Sequence, residues 1–156
     1  MMEKSEIFLV AAGVLIMIGI VVVAQYYNAE AYIKADKIDV QGQTVTVGAN
    51  CKGIVADTSE ERAQSIKDGI DGKISDRPNS HDIYVETLKS FNITVENLLF
   101  EDFDGTIYTS FITVKNNDKV LKIDSRPSDG IAIALRAKAP ILLKKQLLEK
   151  YGKDIC

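Results

Sequence analysis

The chain has 156 residues, 46% of them hydrophobic, and a formal net charge of −3. That length admits one compact domain with an appendage, and the slightly acidic balance excludes a protein held to nucleic acid by a broad basic surface. The two cysteines, Cys51 and Cys156, lack metal-ligand spacing and fit either a disulfide in an oxidising compartment or two free thiols.

Ile7–Ala24 is an uncharged apolar run, near the lower limit for a helix that crosses a bilayer. Gln25 and the pair Tyr26-Tyr27 follow it, as aromatic residues do at a membrane interface. A cleaved signal peptide is the competing reading, because Val22-x-Ala24 and Ala29-x-Ala31 offer small residues at a cleavage position. Glu3 and Glu6 around Lys4, and the length of the run, favour a retained anchor over residues 1–35. The orientation stays open, since Lys4 on one side and Lys34 and Lys37 on the other nearly balance.

Residues 36–156 then read as one domain. Lys37–Val47 alternates apolar and polar residues around Gln41-Gly42, which predicts a hairpin. Gly48–Gly53 reads as a loop and Ile54-Val55-Ala56 as a short strand. Asp57-Thr58-Ser59-Glu60-Glu61 is a helix start, and Ala63, Ile66 and Ile70 supply that helix's apolar side before Gly72 closes it. Asp76–Asp82 leads into a second helix through Phe91, with Asn79 or Ser80 as its cap and Ile83, Tyr84, Thr87, Leu88 and Phe91 as its predicted face. Three antiparallel strands are expected over Ile93–Phe103, Thr106–Lys115 and Lys119–Asp124, with turns at Asp104-Gly105 and Asn116-Asn117-Asp118. Asn92-Ile93-Thr94 is a glycosylation sequon, a weak signal at the edge of a strand.

The stretch Lys122–Pro140 organises the rest. A strand end runs through an Asp-Ser-Arg-Pro-Ser-Asp corner into a helix whose Ile131, Ala132, Ile133, Ala134 and Leu135 leave almost no face for water. Such a helix must be buried, with the other elements around it. Pro127 suits its first turn, Asp129 complements its positive end, and Pro140 stops it. Ile141-Leu142-Leu143 reads as a buried strand, and Lys144–Tyr151 as a short amphipathic helix ending at Gly152. The fold class is therefore α+β: a mainly antiparallel sheet with packed helices, preceded by one transmembrane helix.

Two corners echo each other. Arg77-Pro78-x-Ser80-His81-Asp82 and Arg126-Pro127-Ser128-Asp129 each set an Arg-Pro ahead of a helix with a hydroxyl and a carboxylate in its opening turn. Helix N-termini attract phosphate, and an adjacent Arg adds a forked donor. Arg77, Arg126, Ser80 and Ser128 are thus the candidate phosphate ligands. Asp82, Asp124 and Asp129 are hard oxygen ligands suited to Mg²⁺ or Mn²⁺. His81, the only histidine, can move a proton near neutral pH, which makes His81, Asp82 and Asp129 the catalytic candidates. The same residues also read as ordinary helix capping with Arg–Asp pairs, and His81 as a structural hydrogen-bonding group.

The wording RPNSHD (Arg77–Asp82), followed by DSRPSDGIAIALRAKAPI (Asp124–Ile141), resembles the bifunctional nuclease family. Its members show Arg-Pro-x-Thr-His-Asp, three strands, then Asp-x-Arg-Pro-Ser-Asp-Ala-Ile-Ala-Leu-Ala-Leu-Arg and Ala-Pro-Ile. The likeness covers Ile74 to Leu148; Ser80 replaces Thr, Gly130 replaces Ala, and Arg62 stands about where the family has Glu. The resemblance implies an α+β domain, often self-associating, that cleaves DNA and RNA. The expected function is a membrane-anchored, divalent-metal-dependent phosphodiester hydrolase, with nucleic acid, a membrane and a second copy of the chain as partners. The alternative is a non-catalytic phosphate-ligand or protein-binding module tethered to the membrane.

Overall fold

A computed structural model of the chain describes residues 13–21, 31–74 and 76–156. Residues 13–21 are helical and exposed, whereas the remainder of Ile7–Ala24 lies outside the described residues. Among the described residues no helix is long and apolar enough to cross a membrane.

The body beginning at Ile33 is α+β. In chain order it runs β1 (Tyr32–Lys34), β2 (Lys37–Gln41), β3 (Thr44–Ala49), β4 (Lys52–Asp57), α1 (Glu60–Ile70) and α2 (Ser80–Ser90). It continues with β5 (Thr94–Phe103), β6 (Tyr108–Asn116), β7 (Lys119–Ser125), α3 (Pro127–Ala137), β8 (Ile141–Lys144), α4 (Lys145–Tyr151) and β9 (Lys153–Asp154). Where one sheet was expected, there are two: a five-stranded sheet in the order β1-β8-β5-β6-β7 and a four-stranded sheet in the order β2-β3-β4-β9. The predicted antiparallel run β5–β6–β7 forms as such, but β8 joins β5 in parallel. A parallel neighbour needs a crossover, and α3 supplies it between β7 and β8.

That crossover helix is the centre of the core. Gly130 through Ala134 are all buried in α3, against Leu98, Phe100 and Leu143 of the sheet. Each fully buried Ile or Leu contributes about 1.5–3 kcal/mol. A Cβ on Gly130 would lie 2.5 Å from Leu98 Cδ1, so the absent side chain is what lets α3 approach β5. Both α1 and α2 pack on α3. Pro127 stands at the first helical position, as its missing N–H predicts. The helix ends at Lys138 in the left-handed conformation, before Pro140.

Several expectations change. Helix α2 buries Val85 and Leu88, while Ile83 and Phe91 of its predicted face are exposed at 58% and 68%. The helix is rotated because His81 and Asp82 are drawn inward by polar partners described below. Ile70 is likewise 42% exposed, although its neighbour Gly69 still lies against Leu135 and Arg136 of α3. The Asp104-Gly105 hairpin has a four-residue loop, since the Asp104 carboxylate accepts the N–H groups of Thr106 and Ile107 and holds both out of the ladder. Gly48–Gly53 is not a loop: β3 and β4 are joined by Asn50 and Cys51 alone, both at positive φ, as a tight hairpin turn requires.

The C-terminus is strapped to that hairpin. Strand β9 pairs Lys153 with Gly53 and Asp154 with Lys52, and Ile155 N–H donates to Cys51 O at 3.0 Å. Lys37 Nζ donates to Ile155 O at 2.6 Å. The Ile155 side chain occupies the space a Cβ on Gly48 would need. Cys51 and Cys156 form a disulfide, which resolves the alternative left open by their spacing.

Candidate functional site

The site is assembled from the N-termini of α2 and α3 and the middle of α1. Asn79 caps α2: its Oδ1 accepts from His81 N at 2.9 Å and Asp82 N at 3.1 Å. Asp82 returns the bond, accepting from Asn79 N at 2.9 Å, which completes a capping box. Its other oxygen accepts from Arg136 Nε at 2.5 Å, and both side chains are nearly inaccessible. Arg136 Nη1 also donates to Ser65 O at 2.8 Å and Ala132 O at 3.0 Å. One guanidinium thus ties α1, α2 and α3 together. Burial pushes the Asp82 carboxyl up, but the hydrogen bonds from Arg136 and Asn79 outweigh it and hold the group below its ordinary value.

His81 is held from both sides. Its Nδ1 lies 2.9 Å from Ser65 Oγ, and its Nε2 lies 3.3 Å from Asp129 Oδ1. Ser65 Oγ accepts from Asn79 Nδ2 at 3.3 Å, which leaves its own hydrogen for His81 Nδ1. In the neutral ring that pattern places the proton on Nε2, facing Asp129. Asp129 Oδ2 accepts from Arg126 Nε at 2.5 Å. The result is a continuous chain, Asn79–Ser65–His81–Asp129–Arg126, drawn from three helical segments. It lies along an open cavity of about 590 Å³, whose rim also carries Arg62, Glu61 and Asp68.

Of the residues singled out from sequence, His81, Ser80, Arg126 and Asp129 meet at this cavity. Asp82 is turned away from it into the ion pair with Arg136. Arg77 is exposed on the segment before α2, outside the cavity lining. Ser128 lines a neighbouring cavity, and Asp124 is exposed on β7. The expected carboxylate set therefore does not converge, and among the described residues no group of three His, Cys, Asp or Glu side chains could hold a metal ion. With Asp82 bonded to Arg136 and Asn79, and Asp129 bonded to His81 and Arg126, these donors do not fit a shared Mg²⁺ or Mn²⁺. Sequence reasoning missed Ser65, Arg136 and the cavity position of Arg62. A polar residue inside an amphipathic helix carries no local mark of burial, and Ser65 is buried only because α2 and α3 close over it.

The fold and the site define an α+β domain with two arginines beside a His–Asp pair, an arrangement suited to an anionic ligand. Residues 54–155 match the family model described as the bifunctional nuclease domain, and the chain belongs to that family. It is also similar to two uncharacterised proteins of Mycobacterium tuberculosis, from strains CDC 1551 / Oshkosh and ATCC 25618 / H37Rv. Each is 31% identical over 77 residues, 49% of this chain and 44% of the relative. The chain thus spans less than half the length of these curated relatives.

Proposed function

We propose that this chain is a nuclease-like domain that takes a phosphodiester of DNA or RNA at the Arg62–Arg126–His81 cavity and hydrolyses it. The observation that carries the reading is the bonded chain Ser65–His81–Asp129–Arg126 along an open cavity, in a member of the bifunctional nuclease domain family. Arg62 and Arg126 bind the phosphate and offset the charge that builds on its oxygens. His81, oriented by Ser65 and Asp129, moves the proton between attacking water and leaving oxygen. No step is routed through Mg²⁺ or Mn²⁺, because the carboxylates do not build a shared site.

The test uses the full chain in detergent with labelled single-stranded DNA and RNA, with Mg²⁺, with Mn²⁺ and with EDTA. Cleavage that is lost in a folded His81→Ala protein supports the reading, and survival in EDTA assigns the chemistry to the side chains. Absence of cleavage under every condition overturns it. One observation favours a second reading, a phosphate-binding module without turnover: both ring nitrogens of His81 and both oxygens of Asp129 are already bonded within the protein, which leaves neither group a free lone pair aimed at water. In that case Arg62→Gln and Arg126→Gln abolish oligonucleotide binding and no variant shows turnover.

The same proposal places the domain behind a membrane anchor at Ile7–Ala24, facing an oxidising compartment. The Cys51–Cys156 disulfide supports the side, since such bonds persist where thiols are not kept reduced. Resistance of the protein to alkaline extraction from membranes, with Cys156 protected from a thiol reagent in intact cells, tests both parts. A second copy of the chain, the remaining expected partner, would find an open sheet edge at β7, where Val120 and Leu121 are exposed. Sedimentation of wild type against Leu121→Lys reports it.

A further inference from the structure

Beside the polar cavity lies a larger one, of about 690 Å³, between the four-stranded sheet and the β5–β6 hairpin. Its floor is apolar and buried, built from Val47, Ile54, Ile66, Phe100 and Ile131. Its wall is aromatic. Phe103 and Tyr108 stack at 4.2 Å between ring centroids, and Tyr151 meets Phe103 edge-on at 5.0 Å. Arg62 and Arg126 line both cavities, so the two spaces adjoin at this arginine pair. Neither guanidinium is used up. Arg126 engages Asp129 through Nε alone, and Arg62 has no hydrogen bond or ion pair among the described residues. Lys153 adds a third cation to the larger cavity, against the single carboxylate of Asp57, which already accepts from Thr44 Oγ1 at 2.6 Å.

We infer that the larger cavity is a nucleobase subsite: it takes the base of a nucleotide whose phosphate lies on Arg62 and Arg126, facing His81. The volume suits a nucleoside, since small-ligand sites run from about 300 to 1,000 Å³. A forked cation at the junction matches a phosphate, and an apolar, ring-lined wall matches a planar aromatic base better than it matches a solvated sugar. The subsite rests on the phosphodiester reading above and deepens it. The polar cavity holds the reacting group, and the aromatic cavity decides which polymers can present one. A base must leave its stack to enter, so single-stranded nucleic acid is the substrate form and duplex is excluded.

The test is equilibrium binding to the full chain in detergent, with adenosine and cytidine monophosphates, ribose 5-phosphate and a lysophosphatidic acid as probes. Nucleotides are expected to bind about tenfold more tightly than ribose 5-phosphate, the worth of one modest stacking contact. Tyr108→Ser removes that ratio and leaves ribose 5-phosphate binding unchanged, whereas Arg62→Gln weakens both. Because Tyr108 also supports Phe103, the wild-type protein supplies an independent readout: methyl resonances of Ile54 and Ile131 shift with the nucleotide and not with ribose 5-phosphate. Equal binding of nucleotide and ribose phosphate, methyl signals that do not respond, or preferential uptake of a lysophosphatidic acid each overturns the inference. Cleavage of duplex as readily as of single strands defeats the subsite alone. Base-dependent binding without cleavage defeats hydrolysis and leaves the subsite standing.

Discussion

Arg136 and Asp82 form an ion pair of 2.5 Å with side-chain exposures of 8% and 7%, joining the last turn of α3 to the first turn of α2. Two elements separated by the whole β5–β6–β7 sheet are thereby set against each other, and His81 takes its position from the turn that Asp82 caps. Arg136→Met leaves the Asp82 carboxylate buried without its cation. The expected loss is about 3–5 kcal/mol, as for other broken buried pairs. Urea unfolding measures it. The double variant Asp82→Asn with Arg136→Met should recover part of the loss, and a loss as large in the double variant would show that the pairing is not its origin.

The same pair gives stability a pH dependence of known sign. The folded-state pKa of Asp82 is depressed, so its contribution is complete above the unfolded value of about 4 and disappears as pH falls through the lower folded-state value. The urea midpoint of wild type should therefore decline in acid more steeply than that of Asp82→Asn. Parallel curves for the two proteins would contradict the assignment.

Ser65 is a positioning residue for His81. Ser65→Ala frees Nδ1 and lets the imidazole change tautomer, which under the proposed hydrolysis should lower cleavage about tenfold and shift its pH profile while substrate KM holds; removing His81 itself should cost about 10²–10⁴-fold. Ser65→Thr, which retains the hydroxyl, should rescue the profile if the added methyl group is tolerated. An unaltered profile in Ser65→Ala would mean that the Ser65–His81 bond has no part in the chemistry.

The disulfide closes a loop of 105 residues, and a chain-entropy estimate puts its contribution at about 4–5 kcal/mol. Reduction, or a Cys51→Ser substitution, should lower the thermal midpoint and release the Lys153–Ile155 strap. Amide hydrogen exchange at Ile155 is the local readout. A midpoint unchanged by reductant would show that the β9 pairing, Ile155 and Lys37 hold the strap without the disulfide.

At Gly130 the helix gains up to about 1 kcal/mol of propensity if Ala is introduced. Overpacking against Leu98 costs about 1–3 kcal/mol, so Gly130→Ala should destabilise the protein. Adding Leu98→Val to that variant makes room and should restore much of the loss.

Much of the fold was legible because its signals are local. Pro127, the run Ile131–Leu135 and Pro140 define α3 by themselves, and alternation with turn residues marks β5, β6 and β7. The motifs around Arg77–Asp82 and Asp124–Ile141 pointed to the family that the chain belongs to. The site was legible in part. His81, Arg126 and Asp129 carry recognisable chemistry at helix starts, whereas Ser65 and Arg136 resemble any polar residue on a helix.

By itself the sequence determined which segments must be buried, where the helices begin, and that cations and carboxylates cluster at two of those beginnings. Periodicity and capping depend on neighbours a few positions away, so they can be read along the chain. Only the tertiary structure decided that Asp82 turns inward to Arg136, that Asp129 meets His81, that Cys51 reaches Cys156, and that Arg62 and Arg126 stand between two cavities. Those pairings join residues far apart in the chain. The helical ones are chosen by the way α1 and α2 pack on α3, and the disulfide by the pairing of β9 with β4, choices made by the shape of the whole core and not by any local pattern.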